Sequence, residues 1–145
     1  MNRNEHAVLN HLIESCRDSA RGLRLSAEQV NDAALKTLFT EMADQREQFV
    51  IELLPHANRL GGDLAHEGSR VAALHRAWMR FEERFLDDDA ALVSEVELGD
   101  RATLSAYFQA VNGMLPPDTR PVVERQYAAI EAAHDRLPVL AYRWS

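Results

Sequence analysis

The chain has 145 residues, 46% hydrophobic and 27% charged, which suits one globular domain with a real core. A net charge of −7 argues against nucleic acid and against anionic membrane surfaces, both of which need a basic face. One cysteine allows no internal disulfide and fits a reducing compartment. No apolar run nears the roughly 20 residues that span a bilayer. Residues Met1 to His6 carry no signal-peptide pattern, so a cytoplasmic protein is expected.

Six glycines and five prolines gather between long periodic segments, the pattern of helices joined by short loops. No strand-like alternation and no repeat is visible. The first helix is expected over about 4–30, with Leu9, Ile13, Cys16, Ala20, Leu23, Ala27 and Val30 on one face. Asp32 reads as the N-cap of a second helix over about 33–61, because its carboxylate can accept free amides of the first turn. Leu35, Leu38, Met42, Phe49, Leu53 and Leu60 form its apolar face, Pro55 predicts a distortion, and Gly61-Gly62 ends it.

A shorter helix is expected over about 69–86, with Val71, Leu74, Trp78, Phe81 and Phe85 on one side. Asp87-Asp88-Asp89 breaks it and caps a helix over about 89–112. After the Pro116-Pro117 turn the last helix runs over about 119–141, and Pro138 bends it or ends it early. The four long helices have roughly 23–29 residues, about 35–43 Å each. Matched lengths and apolar stripes favour an all-α, antiparallel four-helix bundle. The 62–88 segment is too long for a hairpin. It must carry the chain from the second bundle helix to the third, with its own helix docked outside, which is the ferritin-like connectivity.

Two acids interrupt a greasy stripe. Along Val93, Glu97, Asp100, Leu104, Tyr107, Val111 and Met114 the steps alternate four and three. A second stripe, Val123, Tyr127, Ile130, His134, Leu137 and Ala141, puts a histidine among apolar residues, with Glu131 one turn before it. Charge on a packing face is costly unless paired or metal-bound. Glu97, Asp100, Glu131 and His134 are therefore candidate metal ligands, because Glu-x-x-His presents two ligands to one ion. Iron or manganese would suit such a set.

The other half of such a site is poor. Glu14 and Asp18 fall nearly opposite the first helix's apolar stripe and are expected to face solvent, leaving Cys16 inward. Gln45 and Gln48 have the spacing of Glu-x-x-His without its chemistry. Arg46 sits near the middle of the second helix's apolar face. The second reading follows from it: Arg46, Glu97, Asp100 and His134 form a metal-free polar core cluster, with paired charge-assisted bonds that specify helix register. The two readings divide on whether Arg46 or a metal neutralises the acids.

Other residues weigh less. His56 can bond a carbonyl freed by Pro55, His75 can bond at a helix junction, and Cys16 reads as a small core hydrophobe. The acidic run Glu82 to Asp89 lacks EF-hand spacing. The aromatic helix either covers the bundle, edges a small-molecule pocket, or exposes Trp78 or Met79 to a partner. No phosphate loop, nucleophile elbow or zinc spacing appears.

Glu41 to Phe49 (EMADQREQF), Leu74 to Met79 (LHRAWM), Glu124 to Tyr127 (ERQY) and Ala133 to Asp135 (AHD) resemble a small, mostly proteobacterial family of ferritin-like four-helix-bundle proteins of unknown function. The resemblance spans nearly the whole chain, including the Leu60-Gly61-Gly62 helix end and the Leu115-Pro116-Pro117 turn. It implies a ferritin-like fold, distantly akin to rubrerythrin and bacterioferritin, and no particular activity. Against the rubrerythrin pattern, Glu131 and His134 match the last Glu-x-x-His, and Glu97 or Asp100 the third helix's carboxylate. The second-helix Glu-x-x-His is absent, and the first-helix Glu has no equivalent. The expectation is a non-catalytic bundle, homodimeric, with a structural, stress-related or interaction role. The alternative is a metal-binding oxidoreductase or iron-handling protein using the partial site.

Overall fold

The computed structural model describes residues 3–59 and 88–137, which form four helices, with no strand among the described residues. They are α1 (Arg3–Gln29), α2 (Ala33–Arg59), α3 (Asp89–Val111) and α4 (Arg120–His134). None of them is long and apolar enough to cross a membrane. The expected 69–86 helix lies outside the described residues, with His75, Trp78, Met79, Phe81 and Phe85.

Cross-helix bonds give the directions. Lys36 reaches the carbonyl of Ala27, Arg24 reaches Asp44 and Glu47, and Arg46 reaches Ser19, so α1 and α2 run antiparallel. Asn31 bonds Asp89 while Cys16 meets Tyr107, so α3 is antiparallel to α1. Arg59 pairs with Asp118, Arg125 with Glu52 and Arg136 with Glu41, so the last segment runs antiparallel to α2. Tyr107 bonds Gln126 and Asp100 bonds His134, which sets α4 antiparallel to α3. The pairings α1–α2, α2–α4, α4–α3 and α3–α1 close a ring. Consequently α2 and α3 point the same way, and the end of α2 and the start of α3 lie at opposite ends of the ring, about 40 Å apart.

The loops carry the expected chemistry. The Asp32 carboxylate accepts from the Leu35 amide at 2.9 Å and caps α2. Asp88 does the same for α3 through the Ala90 amide at 3.0 Å. Asp89 accepts from the backbone amides of Asn31 and Asp32 and so pins the α1–α2 turn to the start of α3. At the other end of α3, Arg120 donates to the carbonyls of Val111 and Gly113, a cation where the helix dipole is negative. Pro55 stays inside α2 on its exposed side, so water can solvate the carbonyl that loses its amide partner.

Buried side chains form two clusters along the helices. The first gathers Leu9, Ile13 and Cys16 with Phe49, Leu53, Tyr107, Val123 and Ile130. The second gathers Leu23 and Val30 with Leu35, Phe39, Met42, Leu92, Val96 and Leu137. Along each of the four segments a gap separates them: between Cys16 and Leu23 on α1, Ala43 and Phe49 on α2, Val96 and Ala106 on α3, and from Ile130 on α4 to Leu137 just beyond it. Polar side chains fill that gap.

α4 ends at His134, with Asp135 as its C-cap, ahead of Pro138, which was expected to bend the helix or end it early. The cause is in the sequence, since a proline at 138 clashes with the carbonyl four residues earlier, that of His134. The buried face of α3 is also rotated. It is carried by Leu92, Val93, Val96, Asp100, Thr103, Ala106, Tyr107 and Ala110, while Leu104 and Val111 are half-buried and Met114 is exposed. The small Thr103, Ala106 and Ala110 are buried on that face beside Tyr107, while the larger Leu104 and Val111 flank it.

Candidate functional site

Arg46 is the centre of the polar gap. It lies between Ala43 and Phe49 on α2 and is fully buried. Its Nη1 donates to Asp100 Oδ1 at 2.6 Å and to Ser19 Oγ at 2.7 Å. Its Nε donates to Gln45 Oε1 at 3.0 Å. His134 Nδ1 lies 3.2 Å from the other Asp100 oxygen. Because an ionised carboxylate only accepts, Nδ1 carries the proton of that bond. Asp100 is thus held from two sides, and its charge is neutralised by a guanidinium on a different helix. The side chains of Arg46 and Asp100 are sealed, whereas that of His134 retains 17% of its exposure.

A second buried network adjoins it. The Tyr107 hydroxyl donates to Gln126 Oε1 at 2.6 Å, so the Cys16 thiol, 3.2 Å away, donates to the phenol oxygen. Gln126 Nε2 donates to Glu52 at 2.9 Å, and Arg125 donates to the same carboxylate at 2.7 Å. Tyr107 also stacks on Tyr127, with ring centroids 6.3 Å apart. Burial pushes the Cys16 thiol up to about 11, partly countered by the Arg46 charge. Burial likewise pushes the Tyr107 phenol well above its ordinary range. Neither group is ionised near neutral pH, so neither is an activated nucleophile.

Of the four candidate ligands, the structure brings together only Asp100 and His134. Glu97 is half-buried at the edge of α3, 4.0 Å from Arg101 on its own helix. It does not join the Arg46 cluster, because the rotated face of α3 turns it sideways. Glu131 is exposed. Among the described residues no group of three or more His, Cys, Asp or Glu side chains is placed to hold a metal ion.

Three further expectations need correction. Glu14 is buried, and Asp18 is half-buried, although both were expected in solvent. Asn10, Glu14, Gly22 and Ser26 form a second covered line on α1 beside the apolar one, so this helix is shielded over more than one stripe. Burial pushes the Asp18 carboxyl up to about 6, partly countered by Arg21 and Arg17. His56 bonds the Thr119 hydroxyl at 2.7 Å instead of a carbonyl freed by Pro55.

Sequence reasoning passed over Ser19 and Gln126. Gln126 sits between Val123 and Ile130 at steps of three and four, so its place on the buried face was visible. Ser19 lies just off its stripe and gave no signal.

Residues 4–113 match the family described as "Domain of unknown function (DUF2383)". The chain belongs to this family. A comparison with curated proteins gives no match. Within the stretch that matches DUF2383 lie Ser19, Arg46, Asp100 and Tyr107, while Gln126 and His134 fall on α4, beyond it.

Proposed function

We propose that this DUF2383 protein is a ferritin-like bundle with a non-catalytic, structural or protein-interaction role, in which a buried ion pair takes the place of a metal centre. The helix directions support the architecture, because up-down-down-up order with one long crossover is the ferritin-like arrangement. The observation that carries the reading is the 2.6 Å contact between the sealed Arg46 and Asp100 side chains. A dimetal centre of this fold draws on a Glu from each of two helices and a Glu-x-x-His from each of the other two. The residues here do not fit one. A fixed guanidinium already supplies the positive charge, Glu131 faces outward, and Glu97 turns to Arg101. A second cation beside Arg46 would meet repulsion in a low-dielectric core. The cluster's work is instead to set register, since sliding any helix by a turn would strand a buried charge. A buried, protonated Cys16 suits a reducing compartment, and we place the protein in the cytoplasm.

The experiment is metal loading. Protein purified without a metal-binding tag is incubated anaerobically with iron(II), manganese(II) or zinc(II), desalted, and measured by elemental mass spectrometry beside His134→Ala. The reading predicts no retained metal in either chain. One equivalent retained by wild type and lost in His134→Ala would replace it with the iron-handling alternative.

A further inference from the structure

The outer surface between α1 and α2 holds a groove of about 530 Å³, floored by Ala20, Leu25, Val50 and Ile51 and edged by Arg17 and Arg21. Arg24 closes it at one side, where Asp44 and Glu47 already hold its guanidinium. Arg17 and Arg21 are exposed, one helical turn apart, and their charges act on the half-buried Asp18 carboxyl between them. Ile51 is 60% exposed beside them. A basic rim over an apolar floor is out of keeping with a chain of net charge −7. It calls for an acidic, helical occupant.

The same chain presents one. The outer face of α4 and its cap carries Glu124, Ala128, Glu131 and Asp135, at steps of four, three and four, and all four are exposed. Among the described residues these carboxylates have no ion-pair partner. Glu131 and Asp135 are one turn apart, the spacing of Arg17 and Arg21, about 6 Å in each case. Ala128 is small enough to let the stripe approach the floor. We propose that α4 of one copy docks in the α1–α2 groove of the next, Glu131 and Asp135 facing Arg17 and Arg21 while Ala128 covers Ile51. In the ring of helices α1 and α4 are diagonal, so groove and stripe lie on different sides of the molecule. The contact is therefore head-to-tail, and assembly continues past two copies. This reading is independent of the polar centre.

Charge reversal tests it at about 0.15 M salt, where a screening length of about 8 Å damps the net repulsion between copies but leaves contact pairs. Sedimentation velocity from micromolar to several hundred micromolar should show the wild-type mass rising with concentration. Arg17→Glu with Arg21→Glu makes groove and stripe both acidic; Glu131→Arg with Asp135→Arg makes both basic. Each variant alone should remain a single chain, and an equimolar mixture should associate again. If a reversed chain loses helix content by circular dichroism, Arg17→Gln with Arg21→Gln replaces it and should weaken association at least tenfold. A wild type that stays single at every concentration overturns the proposal, even if an acidic helical peptide binds the groove. So does association that the variants keep, or a mixture that fails to recover it.

Discussion

Arg46 and Asp100 meet 54 residues apart in the chain, nitrogen to oxygen at 2.6 Å, with both side chains closed to solvent. The pair sits where two apolar clusters leave a gap along all four segments. A buried ion pair contributes little net stability compared with well-packed hydrophobic residues, but losing one partner is expensive. That asymmetry makes the pair a device for fixing register. It allows one alignment of α2 against α3 and penalises the others.

Tyr107 ties the second network together, so Tyr107→Phe removes a donor to Gln126 and an acceptor for Cys16 without changing shape. The unpaired Gln126 oxygen should cost about 1–3 kcal/mol. Chemical denaturation with an unchanged m-value would read this directly, and a loss under about 0.5 kcal/mol would show that water replaces the bond.

Cys16 should be inert in the folded protein. Its thiol is fully buried and ionises only near 11, so iodoacetamide at pH 8 should label it no faster than the chain unfolds. Rapid labelling in native buffer, timed by intact mass, would contradict the position of α1.

Asp18 gives a pH dependence of definite sign. Folded, it keeps its proton up to about pH 6; unfolded, it releases it near the ordinary value of about 4. Between those values the folded chain binds more protons, so this group's contribution to stability is full at low pH and is lost as pH rises through the window. Asp18→Asn should flatten that part of the stability profile and raise stability at pH 7. Identical profiles from melts at pH 4 to 7 would show that Asp18 is solvated.

Long-range order was legible because it rests on period and punctuation. All seven residues of the α1 stripe are buried, and Asp32 caps where its carboxylate was expected to. Arg46 stood out because a guanidinium on an apolar face has few explanations. Glu97 misled because the sequence offered two overlapping faces on α3. Its larger hydrophobic residues, Leu104 and Val111, marked the wrong one, while Thr103, Ala106 and Ala110 carry the contact. Burial of Glu14 was not legible at all, since it depends on what covers a second line of α1, and helical period reports only one face well. Ser19 shows a further limit, because a lone hydroxyl becomes meaningful only when a distant arginine reaches it.

The central claim is that Arg46 is the counter-ion of Asp100, and a double-mutant cycle tests it most directly. Arg46→Met and Asp100→Leu each leave one buried charge unpaired and should each lower stability by about 3–5 kcal/mol. The double variant removes both charges, so its loss should fall several kcal/mol short of the sum of the singles. Additive losses, or an Arg46→Met protein that unfolds at the wild-type denaturant midpoint, would contradict the account.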